Sequence, residues 1–182
     1  MTAMLAEFPR PLPVSQIGAT GLTREVVASP AECAALARRL NIPAVARLAC
    51  QFQLAMAPGG VVLAQGMLTA RVTRDCVVTL DAFEMDIAEA FGVRFVPESM
   101  LDPAAADSDD PESDDEIPYT GAIIDLGEAA SEQLALALDP YPKMPGAVLE
   151  GGAVLEGEAA PDAPLDGVPS AFAGLARRAR RE

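Results

Sequence analysis

The chain contains no histidine and no tryptophan, and only two tyrosines and six phenylalanines among its 182 residues. Without histidine, the side chain that most often moves protons near neutral pH is missing. No Ser or Cys nucleophile can draw on a His base, and a zinc site would have to rest on thiolates and carboxylates alone. Cysteine is equally sparse. Cys33, Cys50 and Cys76 are odd in number and far apart, and no export signal precedes them. Reduced, buried thiols are expected rather than a disulfide framework. No apolar run reaches membrane-spanning length, and the N-terminus lacks the basic-then-apolar layout of a leader. These features together point to a cytoplasmic protein. No glycine-rich phosphate loop is present either, so neither a catalytic residue nor a cofactor, metal or small-molecule substrate is expected.

What is present is charge, unevenly distributed. The net charge is −14, with 13 basic and 27 acidic residues. Residues 8–97 carry eight basic and seven acidic side chains and are close to neutral. Between Arg94 and Lys143 there are thirteen acids and no base, whereas Arg177, Arg178, Arg180 and Arg181 crowd the last six residues. Net charge alone argues against nucleic acid; its segregation keeps that question open.

Hydrophobic residues make up 51% of the chain, but much of that is alanine, which buries little area. The large apolar side chains cluster before Pro97, so one modest core is expected there. Residues 14–17 suggest a short edge strand, broken by Gly18 and Gly21. Ser29-Pro-Ala-Glu32 has the layout of a capping box with proline at the first helical position, and Asn41 and Pro43 close that helix. Residues 45–56 alternate, with Leu48, Cys50, Phe52, Leu54 and Met56 on one face, as in a half-buried strand. Residues 57–60 turn the chain, and 61–74 answer as a hairpin partner. The parity there is mixed, which suggests two partly covered faces or a bulge near Gly66. Residues 76–80 fit a short strand or a crossover. Residues 83–96 form the clearest strand, with Glu89 interrupting its apolar face and implying a bulge or strand end.

Residues 98–116 hold nine acids and almost no large apolar group, so an acidic disordered loop over 98–118 is expected. Asp125 then caps a helix in which Leu126, Ala130, Leu134 and Leu138 repeat every four residues. Residues 146–168 have the composition of a flexible linker, and residues 169–182 that of a basic C-terminal helix or tail. The fold class is α+β: a small antiparallel meander of three or four strands with packed helices, spanning residues 8–145 with the acidic loop inserted.

Three stretches carry a resemblance. They are Thr73-Arg-Asp-Cys-Val-Val-Thr-Leu80 with the strand that follows; Ile124-Asp-Leu-Gly-Glu128 with Leu134-Ala-Leu-Ala-Leu-Asp-Pro-Tyr-Pro142; and Pro169-Ser-Ala-Phe-Ala-Gly-Leu175. In this order, with an acidic loop between the first two, the chain resembles the YceD family, the large ribosomal RNA subunit accumulation proteins. The motif positions are Cys76, Asp125, Leu126, Glu128, Pro140 and Pro142. Many members have Cys-x-x-Cys at the central turn and another Cys after Pro-x-Pro. Here Thr79 takes the second position, and residues 144–147 supply no thiol.

The resemblance implies a non-catalytic role in accumulation of large-subunit (23S) ribosomal RNA, through contact with precursor RNA or an early ribosomal protein. The RNA-contact candidates are Arg47, Arg71 and Arg74 on the hairpin, and Phe172, Arg177, Arg178, Arg180 and Arg181 in the tail. The alternative is an acidic module that holds a basic ribosomal protein without touching RNA. Asp125 and Glu128 have the spacing of a helix cap, not of an acid–base pair. Nothing in the sequence indicates an oligomeric state.

Overall fold

The computed structural model describes residues 6–100 and 115–148. Its centre is a meander of three long strands: β3 (Ala44–Met56), β4 (Val62–Asp75) and β5 (Ala82–Pro97). On the outer side of β3 lies β2 (Leu22–Val27), antiparallel to it; beside β5 runs β6 (Asp115–Tyr119), parallel to it. The sheet is therefore five-stranded, in the order β2-β3-β4-β5-β6. A second sheet of two short strands pairs β1 (Pro11–Pro13) with β7 (Ile123–Asp125). Helices α1 (Pro30–Arg39) and α2 (Leu126–Ala137) complete an α+β fold.

The strands follow their side chains. In β4 the even positions Val62, Ala64, Leu68, Ala70 and Val72 are buried, and α1 and α2 add Leu36, Ala37, Leu126, Ala130 and Leu134 to the same core. Both helices therefore serve one face of the sheet. On that face Phe52, Gly66 and Phe91 stand side by side across three strands. The two rings meet edge to face over the glycine, with centroids 5.7 Å apart. A Cβ on Gly66 would fall 2.2 Å from the Phe91 ring, so this position takes glycine because a ring occupies the space.

The caps form as their sequences dictate. The Ser29 hydroxyl accepts from the Glu32 amide at 3.4 Å, and the Ser29 amide donates to the Glu32 carboxylate at 2.7 Å. Asn41 leaves α1 with φ 51°, a conformation that asparagine tolerates better than most residues. At α2 the Asp125 carboxylate accepts from the Gly127 and Glu128 amides at 2.9 and 3.1 Å.

Several sequence expectations need correction. Residues 14–17 are not an edge strand: Val14–Gln16 is a single 3-10 turn, closed by the Ile17 amide on the Val14 carbonyl, and the strand lies earlier, at Pro11–Pro13. No bulge sits near Gly66 or Glu89, since β4 and β5 pair without interruption from Val62↔Phe95 to Asp75↔Ala82. The bulge is in β3, between Val45 and Arg47, and it returns Val45 to the buried face shared by Leu48. The mixed parity of β4 arises because Leu63 and Met67 are exposed. Residues 76–80 are neither strand nor crossover but the turn of the β4–β5 hairpin, in which the Cys76 amide donates to the Asp81 carbonyl. The meander of three or four strands gains β2 and a parallel edge strand, β6. The end of the acidic stretch assigned to the 98–118 loop is strand, and Glu98–Met100 is a 3-10 turn. The remainder of that loop, and the linker and tail from residue 149 onward, lie outside the described residues.

Candidate interaction surface

The second face of the five-stranded sheet carries no helix among the described residues. Its rows follow from register. Gln53, Gln65 and Gly92 form one row; Gln51, Met67 and Ala90 form the next. A shallow depression opens among these six residues because Ala90 and Gly92 offer almost no side chain. Further along, Arg47, Arg71 and Asp86 lie abreast. Arg71 grips Asp86 with both arms of its fork, Nε to Oδ1 and Nη2 to Oδ2, each at 2.8 Å. These bonds hold the Asp86 carboxyl below its ordinary range. Near the other end of the face Arg94 meets Glu116 at 3.0 Å. Of the three arginines on this face, only Arg47 makes no ion pair among the described residues.

Arg74 does not join Arg47 and Arg71, contrary to the sequence expectation. It shares the parity of Val72 and so leans toward the helix side, where its Nη2 donates to the Asp139 carbonyl at 3.0 Å. Three positions along β4 therefore separate an arginine on the open face from one that ties the sheet to the end of α2.

Cys76 lies at the hairpin turn, and its sulfur is buried against two backbone amides, those of Val78 and Met144, each at 3.4 Å. The Met144 amide contributes most, and together with the bonds within the turn it lowers the thiol to about 7. Burial instead pushes Cys50 up to about 12. The Val77 amide donates to the Pro142 carbonyl at 2.9 Å, so the stretch after Pro140 and Pro142 lies directly against the turn. Thr79 and Met144 thus stand around Cys76 in the region where the resemblance would place further thiols. Among the described residues no group of three or more His, Cys, Asp or Glu side chains gathers into a metal set.

The remaining motif positions are architectural. The Asp125 carboxylate, besides capping α2, accepts from the Arg10 amide at 2.8 Å. Leu126 is buried. Glu128 receives Arg39, which also reaches Glu7 at 3.0 Å. Arg10 pairs with Glu32 at 2.7 Å and lies 4.4 Å over the Phe8 ring. Sequence reasoning did not find these networks, because their partners are between 22 and 115 residues apart and no local spacing announces them. Phe172, Arg177, Arg178, Arg180 and Arg181 lie outside the described residues.

The family model described as "Large ribosomal RNA subunit accumulation protein YceD" matches residues 64–177. The chain belongs to the YceD family. The YceD match opens in β4, takes in the Cys76 turn and the Asp125-capped helix, and ends within the arginine-rich tail at Arg177; Arg47 lies before it. Membership in YceD ties the chain to the accumulation of large-subunit ribosomal RNA. No curated protein and no solved structure matches the chain. Among the described residues no helix is long and apolar enough to cross a membrane.

Proposed function

We propose that this chain is a non-catalytic, cytoplasmic assembly factor that supports large-subunit ribosomal RNA by binding a precursor particle. The observation that carries the reading is the family match over residues 64–177. The geometry supports a binding role: a broad strand face stands uncovered by the described residues. Arg47 and the tail arginines Arg177, Arg178, Arg180 and Arg181 supply the phosphate contacts. The test is co-sedimentation with large-subunit precursors in cell extracts. Replacing the four tail arginines with alanine should release the protein from those fractions, most clearly at low salt, and should flatten the salt dependence of what binding remains. Absence of the parent protein from every ribosomal fraction, with normal ribosomal RNA in a deletion strain, would overturn the proposal.

A second reading has its own support. Arg71 and Arg94 are each occupied by a carboxylate, so most of the positive charge on the open face is already neutralised. That favours a protein partner, held by the acidic stretch, over RNA. A pull-down with and without residues 99–116 separates the two: loss of protein partners alone favours this reading, while retained RNA together with unchanged protein partners favours the first.

A further inference from the structure

The end of the sheet away from the Pro58–Gly60 turn is unusually apolar for a surface. Val77 is 45% exposed, Leu80 79% and Tyr141 72%. Hydrogen bonds bring these residues together: Val77 donates to Pro142, next to Tyr141, and the Leu80 amide donates to the Cys76 carbonyl at 2.8 Å. Leu80 also has φ 63°. For a bulky side chain this is an unfavourable backbone region, adopted in a turn that the Leu80 amide closes on the Cys76 carbonyl. Strain at a residue whose side chain then stands in water serves no packing purpose, and such outliers cluster at binding sites. Asp75 and Asp81 flank the turn, and Asp139, whose carboxylate accepts from the Tyr141 amide at 2.8 Å, precedes Tyr141; all three are exposed and none is in an ion pair among the described residues. Of the nearby cations, Arg74 is turned inward to the Asp139 carbonyl, which leaves Lys143.

We propose that this patch is a docking site for a cationic peptide segment of another protein, one that places an aliphatic or aromatic side chain against Leu80 and Tyr141 and its basic groups among the three aspartates. Charge complementarity selects this occupant: the acidic rim repels RNA phosphates and anionic headgroups and attracts lysine and arginine. The site is separate from the helix-free face and does not depend on whether RNA is also contacted.

The experiment is fluorescence anisotropy of the full chain with a labelled synthetic peptide of lysine, arginine and leucine, compared with the same peptide carrying glutamate in place of its basic residues and with a single-stranded RNA oligonucleotide. The basic peptide should bind and its glutamate counterpart should not, while any binding of the RNA, which the arginines elsewhere in the chain would supply, should be the same in the parent and in the patch variants. Leu80→Gly is the decisive variant. Glycine accepts the positive φ, so the variant folds at least as stably, while affinity falls about tenfold or more, as for an interface anchor. Asp75→Asn with Asp81→Asn should weaken binding and flatten its salt dependence. The proposal is overturned if the peptide does not bind, if Leu80→Gly binds it as the parent does, if the RNA binds and is lost in that variant, or if the patch instead pairs two copies of the chain in sedimentation. Normal co-sedimentation of Leu80→Gly with ribosomal precursors, alongside unchanged peptide binding, would reject this site and leave the assembly role standing.

Discussion

The two faces of one sheet differ more than its strands do. In β4, Leu68 is fully buried under the helices while its neighbour Met67 is 49% exposed on the other side. The covered face is filled by large aliphatic and aromatic groups that fit one arrangement. The open face has glutamines, alanines and two arginine–carboxylate pairs, and asks little of its residues structurally. Selection for stability can act on the first face; the second is available for partners.

The sharpest way to break this comparison is a pair of adjacent substitutions. Leu68→Ala should cost about 2–5 kcal/mol through lost burial and a residual cavity, while Met67→Ala should stay within about 0.5 kcal/mol. Urea unfolding of both variants checks it; equal losses would mean that the open face is itself packed. Gly66→Ala comes next. Its methyl group meets the Phe91 ring, and overpacking of this kind costs about 1–3 kcal/mol. Adding Phe91→Leu should recover part of the loss, which a purely conformational effect of alanine would not allow.

Smaller effects separate the charges on the two sides. The Arg10 bonds hold Glu32 down to about 2 from its ordinary 4.5. A depressed carboxyl contributes stability above its unfolded value and loses it as pH falls through the folded one. The stability difference between parent and Glu32→Gln should therefore be full above pH 4.5 and shrink toward pH 2. On the open face, Asp86→Asn should have an effect that fades in molar salt, because that pair is solvent-screened.

The smallest effect lies in the thiols. With Cys76 lowered to about 7 and Cys50 raised to about 12, ultraviolet thiolate absorbance should show one group ionising near neutrality and the others only above pH 9. By the same linkage, the contribution of Cys76 to stability is fully present above its ordinary 9.0 and is lost as pH falls through about 7. Absence of any ionisation near neutrality in the folded protein would remove the amide clasp from the account.

Much of this was legible because it is local. The capping box at Ser29, the Asp125 cap and the alternation of β3 each depend on residues within a few positions of one another. The family could be recognised for the same reason, since its motifs are short and ordered. The features that were missed are contacts at a distance. Glu89 looked like a break because sequence parity cannot show that a position between buried Ile87 and Val93 stays exposed while the strand pairs on without interruption. Arg74 looked like a partner of Arg71 because both are basic and close in sequence, whereas the pleat sends them to opposite sides. β2 and β6 are short and take their place from the longer strands they flank.

The sequence by itself determined the α+β class, the helix boundaries, the long strands and the segregation of charge, since each follows from periodicity, capping chemistry or counting. Only the tertiary structure decided which face stays open, that Arg71 and Arg94 are already paired, that Arg10 and Arg39 join the chain's N-terminal segment to its helices, and that Cys76 is clasped by a stretch 68 residues away. The reason is physical: a side chain's partners across a sheet are set by register and by which face the helices claim, and neither is encoded in any one window of the chain.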